Sequence, residues 1–220
     1  MKFHFLLATA LFVSSLSFSQ VTFGPLAGTN LSLKSLRFSY TIFDVEYEST
    51  SGLGLQLGAF IKYNLADMSG IKAEVQVQSR CSSFNVSHFT YDNTLNTTIK
   101  DTYFGIPIFV DLGLTDDLSI EVGPSIGFLI GSRNTSEHTI NGVTEGLTIT
   151  GDDAIEGRKR FELGASFGAH YMLNYDIGIV LRYSRALNDM NENTNLLIGE
   201  TVNSNYNLIQ LNVTYNPRYW

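Results

Sequence analysis

Ser166, His170 and Glu162 are the residue types of a hydrolytic relay: a hydroxyl nucleophile, an imidazole base and a carboxylate to orient it. All three fall in residues 161–173, where apolar and polar side chains alternate, so on a strand they share one face. A working relay holds hydroxyl and imidazole within ~2.6–3.2 Å. Residues four apart on a strand stand about 13 Å apart, so Ser166 and His170 cannot form the direct contact. A structural hydrogen bond or chance placement is the simpler reading. His88 and His138 lie in separate connections among scattered acids, without metal-ligand spacing. Cys81 is the sole cysteine, which excludes a disulfide framework and a multi-cysteine metal cluster, and no base stands beside it. No catalytic, metal-ligating or cofactor-binding residue is nominated.

Composition narrows the class. The 220 residues are only 16% charged, against about 25% in average domains. With 12% aromatics and 19 glycines, the chain has the opposite balance to a disordered one. A net charge of −7 gives no basic footprint for nucleic acid. The N-terminus reads as an export signal over residues 1–19. A short basic start at Lys2 leads into the apolar run from Phe5 to Val13, and Ser17-Phe18-Ser19 places small residues before a cut at Gln20. The run is too short to cross a bilayer as a helix, which takes ~20 apolar residues. Residues 20–220 then form one domain.

Within that domain, period-two alternation dominates. In residues 71–80, Ile71, Ala73, Val75 and Val77 oppose Lys72, Glu74, Gln76, Gln78 and Arg80. The same split runs through 53–63, 103–114, 118–131, 161–173, 177–184 and 208–215. In these seven segments the apolar face carries no charge. The other face carries Lys62, Lys72, Glu74, Arg80, Asp111, Glu121, Glu162 and Arg182, four basic and four acidic, together with ten glycines. Several segments exceed the usual strand length of ~5–6 residues. Glycine on a polar face suits a crowded, curved interior better than a surface in water. The apolar face is therefore read as lipid-facing, where a charge would cost about 2–4 kcal/mol, and the polar face as a lumen. An open sheet in lipid would leave backbone groups unpaired, so the strands must close. An eighth strand over 21–33, interrupted by Pro25, completes an all-β, eight-stranded antiparallel transmembrane barrel with up-and-down meander topology.

The connections alternate in length. The long ones, 34–52, 81–102, 132–160 and 185–207, belong outside the cell; the short ones, 64–70, 115–117 and 174–176, belong in the periplasm. Phe38, Tyr40, Phe43 and Tyr47 alternate partially with Asp44, Glu46 and Glu48 in the first long connection, which reads as a hairpin extended above the membrane. In the third, Asp152 and Asp153 with Arg158, Lys159 and Arg160 could bind ions or lipopolysaccharide phosphates, though a solvated rim is the simpler reading. Tyr63, Tyr171, Tyr175, Tyr215, Tyr219 and Trp220 cluster at the short-turn end as an interfacial girdle.

Several stretches now resemble a known group. They are residues 23–32 (Phe-Gly-Pro-Leu-Ala-Gly-Thr-Asn-Leu-Ser), 104–110 with its Ile106-Pro107 pair, 123–131, 161–173 and 182–189. Together they are similar to the Bacteroidota outer-membrane β-barrel domain proteins, often labelled PorT-like or porin family. The resemblance implies residence among outer-membrane lipids and lipopolysaccharide, and folding through periplasmic chaperones and the barrel-assembly machinery. The five residues after Tyr215 depart mildly from its usual aromatic ending. Some small barrels modify lipid A, but their sites lie near the lipid-facing wall, whereas Glu162, Ser166 and His170 point inward.

An eight-stranded barrel is only wide enough for side chains to fill it. The eight lumen charges are expected to pair and plug it, because one left alone costs several kcal/mol. The expected role is non-enzymatic: structure, adhesion or service to a larger envelope machine. A narrow channel for small solutes is the alternative reading, and a lipid A-modifying enzyme the second.

Overall fold

The computed structural model describes residues 21–38, 47–66, 68–88, 93–140, 143–156, 158–188 and 202–217. Residues 1–19, residues 39–46 of the first long connection, most of the fourth, and Tyr219 and Trp220 lie outside these, as do the side chains of His88 and Tyr47. The elements are β1 (Val21–Phe38), β2 (Tyr47–Ala66), β3 (Ser69–His88), β4 (Asn93–Gly113), β5 (Leu118–Ile140), β6 (Val143–Thr150), β7 (Phe161–Met172), β8 (Ile177–Ala186) and β9 (Val202–Tyr215). No helix appears among the described residues.

All pairings are antiparallel, and β4–β5 and β1–β9 contacts close eight strands into a ring. The ninth strand, β6, stays outside it. The lower half of β5 pairs with β7 (Leu118↔Tyr171 to Phe128↔Phe161), and its upper half pairs with β6 on the same edge (Arg133↔Thr150 to Ile140↔Val143). Pro25 does not break β1, because the β1–β9 ladder starts only at Leu26↔Thr214, so a missing N–H falls where pairing ends.

Polarity is inverted relative to a globular domain. Leu53, Leu55 and Leu57 are 76%, 70% and 67% exposed, while Lys72, Glu74, Glu121 and Arg182 are at most 2% exposed. Period-two geometry sends each set to its own side of the wall.

Two connections differ from the expectation of long loops. Residues 81–102 and 132–160 are largely strand: β3 and β4 run for 20 and 21 residues, about twice the ~9–11 that cross a bilayer. Ser, Thr and Asn carry these extensions, held by pairs such as Thr97–Ser136 (3.1 Å) and Ser83–Thr98 (3.1 Å). A bulge at Ile130 separates the Tyr103↔Leu129 and Thr102↔Gly131 pairs. It shifts the inward face of β5 from Leu129 to Ser132.

Candidate functional site: the charged barrel interior

The interior is built in levels, each from residues of matching parity on several strands. At the short-turn end, Lys62 of β2 donates to Asp111 Oδ1 of β4 at 3.0 Å. Above it, four residues from three strands form one cluster. Arg182 of β8 donates to both oxygens of Glu74 (2.9 and 2.8 Å) and, from Nη2, to Glu121 Oε1 (2.5 Å). Lys72 of β3 pairs with Glu74 at 3.2 Å and with Glu121 Oε2. The cluster is charge-neutral, and the Phe109 ring lies 4.1 Å from the Arg182 guanidinium carbon and 5.6 Å from Lys72 Nζ. Register explains the fit: Glu121 and Arg182 both face Gly168 on β7, where a Cβ would press on the backbone and Cβ of Arg182.

Next comes an amide layer. Gln210 donates to Gln56 (3.0 Å) and Gln78 (3.2 Å), Gln56 donates to Asn212, and Ser184 donates to Gln210 (3.2 Å). Above it, Arg80 makes a two-pronged pair with Glu162 at 2.6 and 2.9 Å, its guanidinium carbon 3.9 Å from the Tyr103 ring. The cavity bounded by Gln76, Gln78, Arg80, Glu162 and Arg182 holds only ≈ 20 Å³, about one water. All eight charges singled out from the sequence thus lie on the inward side, each within an ion pair.

The end bearing the long connections carries a group that sequence reasoning missed. Asp101 of β4 is fully buried. It accepts from both terminal nitrogens of Arg158 (2.8 and 2.6 Å), from Ser132 (2.7 Å) and from the Tyr206 hydroxyl (2.8 Å). Ile155 packs into the mouth against Tyr103 and Leu129. Burial alone would lower the Arg158 pKa, but the hydrogen bonds and charge of Asp101 override it and raise it above the ordinary value. Arg158 is therefore no solvated rim residue. Arg160 and Asp152 do form an exposed pair, at 2.7 Å. Asp101 has the parity of Tyr103 and Gly105, so extending the alternation of β4 by one step would have found it.

The residues of the hydrolytic motif go to different partners. Ser166 donates to Ser184 at 2.7 Å, His170 Nε2 sits 3.3 Å from the Thr214 hydroxyl, and Glu162 holds Arg80. Gly178 makes room for the imidazole, since a Cβ there would strike His170 Nε2. Cys81 is a free, half-buried thiol and His138 is exposed. No cluster of three or more His, Cys, Asp or Glu suited to a metal occurs among the described residues.

The family model described as outer membrane protein beta-barrel domain matches residues 15–192. The solved structure of OprG from Pseudomonas aeruginosa aligns at 15% identity, covering 90% of this chain and 96% of its own, with a TM-score of 0.49. Ail of Yersinia pestis, in complex with the heparin analogue sucrose octasulfate, aligns at 10% identity over 90% of this chain and 99% of its own, with a TM-score of 0.45. Neisserial surface protein A aligns at 13% identity over 89% and 97%, with a TM-score of 0.40. No curated protein sequence matches the chain.

Proposed function

This chain belongs to the outer membrane protein β-barrel domain family, and from that premise we propose that it is a plugged, non-conducting barrel without enzymatic activity. It serves in envelope structure, in adhesion, or as an accessory to a larger envelope machine. The observation that carries this reading is the stack of compensated charges from Lys62–Asp111 to Arg158–Asp101, which leaves ≈ 20 Å³ between its central and upper levels. A lumen meant to pass solute would keep water, not neutral clusters bonded on several sides. In the same reading, residues 1–19 are an export signal, the short turns face the periplasm and the paired extensions of β3, β4, β5 and β6 stand outside the cell. The finer kinship is with the PorT-like group of Bacteroidota. Lipids and lipopolysaccharide surround the wall, and chaperones with the barrel-assembly machinery insert it.

The absence of enzymatic activity is supported by the separate partners of Ser166 and His170. The rival reading, a narrow channel, draws on a cavity of ≈ 320 Å³ at the short-turn end. Planar-bilayer recording on purified protein separates the two. The plugged barrel gives no unit currents, and steady unit steps would replace this reading with the channel.

A further inference from the structure

The apolar side of the wall ends differently at its two rims. On β5 its outward positions run through Ile126, Phe128 and Ile130, and the first charge beyond them is Arg133. On β4 they run from Leu112 to Phe104 and then Thr102, and the first charge is Lys100. Arg185 follows Tyr183 on β8 in the same way, and Lys159 stands just before Phe161 of β7. All four cations are exposed. The short turns instead carry Asp116, Asp117 and Asp176 and, among the described residues, no exposed cation. The apolar run on β4 has the length that crosses a bilayer, ~9–11 residues. The cations beyond it therefore stand at the level of lipid headgroups.

Lys100 and Arg133 form a pair within this collar. They are direct partners on the β4–β5 ladder and share its outward face, with Cβ atoms about 4.5–5.5 Å apart. Like charges so placed repel each other. Asp101, next to Lys100 in the chain, points inward and holds Arg158, and Asp152 holds Arg160. Among the described residues neither Lys100 nor Arg133 has an ion-pair partner, Glu137 higher on the same face of β5 included. Thr102 below and Thr135 above add hydroxyls on that face. A guanidinium takes two oxygens of a phosphate in parallel, and an ammonium adds a point charge. A phosphomonoester brings about −1.5 to −2 charge and three acceptor oxygens, which matches two cations; a phosphodiester brings a single charge. Beneath the pair, Phe104, Phe128 and Ile130 continue the lipid-facing wall, so acyl chains attached to the phosphate have a seat already in place.

We propose that Lys100 and Arg133 hold the phosphomonoester headgroup of a membrane lipid whose acyl chains lie on the wall below them. The inference deepens the reading of a barrel set among lipids and lipopolysaccharide and rests on it. It does not depend on whether the lumen conducts.

The test uses the folded, full-length barrel in phosphatidylcholine nanodiscs, with NMR at Lys100 Nζ and Arg133 Nε. The probes are rising fractions of phosphatidic acid, a phosphomonoester lipid, or of phosphatidylglycerol, a phosphodiester, and inorganic phosphate added to the water. Phosphatidic acid is expected to give saturable shifts at both residues. Phosphatidylglycerol at equal surface charge and free phosphate should each bind at least about fivefold more weakly. Lys100→Gln or Arg133→Gln should weaken phosphatidic acid about tenfold, the size of one charge-assisted contact. Both positions are exposed and unpaired, so these variants should fold as the unaltered chain does in phosphatidylcholine. Arg185→Gln removes the same charge from β8, where the ladder partners Ala165 and Asn207 are neutral, and should change the affinity less than about twofold. The inference is overturned by an absence of saturable shifts, by an equal response to phosphatidylglycerol or free phosphate, or by an equal loss from Arg185→Gln. Cross-relaxation from lipid to Leu57 and Val77 on the same sample separates the two readings. Its absence removes the lipid-facing wall itself, whereas its presence without phosphatidic acid shifts removes only this site.

Discussion

Lys62 and Lys72 stand directly opposite each other across the β2–β3 ladder, and each is neutralised from a different strand beyond it. Lys62 reaches Asp111 on β4 and Lys72 reaches Glu121 on β5, and those two carboxylates are themselves opposite partners on the β4–β5 ladder. Like charges directly opposite destabilise a sheet. Here two such pairs cancel across the curvature of a closed wall, which a flat sheet could not arrange.

Removing one member of the central cluster leaves buried charge uncompensated. Arg182→Ala is expected to lower stability by about 3–5 kcal/mol, read as a shift of the urea midpoint in detergent. Adding Glu121→Gln to that variant should recover part of the loss, because one orphaned carboxylate is removed. Equal midpoints for Arg182→Ala and the unaltered chain would show that the interior is solvated.

The outer face should tolerate charge only beyond the bilayer. Val77→Arg, on the lipid side of β3, is expected to cost about 2–4 kcal/mol in folding into vesicles. Lys100→Ala, at an exposed position of the extended β4, is expected to stay within about 0.5 kcal/mol. Equal effects at the two sites would contradict the placement of the membrane.

Arg158 fastens the segment that packs Ile155 into the mouth at the long-connection end. Arg158→Ala is expected to speed tryptic cleavage after Lys159 and Arg160 severalfold. Arg158→Lys should not restore protection, because an ammonium cannot make the two-pronged contact with Asp101. Cleavage rates unchanged by either substitution would detach Arg158 from the closure of the mouth.

Crowding should discriminate between glycines. Gly168→Val is expected to abolish the heat-modifiable gel shift of a folded barrel, because its Cβ meets Leu181 and Arg182. Gly146→Val on β6, where a Cβ meets nothing within 4 Å, should leave that shift intact. A folded Gly168→Val barrel would mean that β7 and β8 can separate.

What the sequence revealed follows from the physics of each feature. Strands with one face in lipid must alternate strictly, so the wall segments and the inward position of Arg80 or Glu121 could be read from period two alone. The extensions of β3, β4 and β5 could not, since above the membrane neither face is forced to be apolar and their Ser, Thr and Asn read as loop. The four-to-four balance of charge was visible, but the partners were not: Arg182 meets Glu74 across 108 positions of chain, a contact set by ring closure and register. Asp101 escaped notice because it lay in an assumed loop, and Arg158, singled out with its exposed basic neighbours, was read as part of a solvated rim.

The most direct test of the inverted barrel is NMR of the protein in nanodiscs, with cross-relaxation to lipid and exchange with water measured on the same sample. The methyl groups of Leu57, Val75 and Val77 should show contacts to lipid methylenes, while the Nε–H of Arg182 should exchange slowly with water at neutral pH. Rapid exchange at Arg182, or lipid contacts absent from those three residues, would contradict the account.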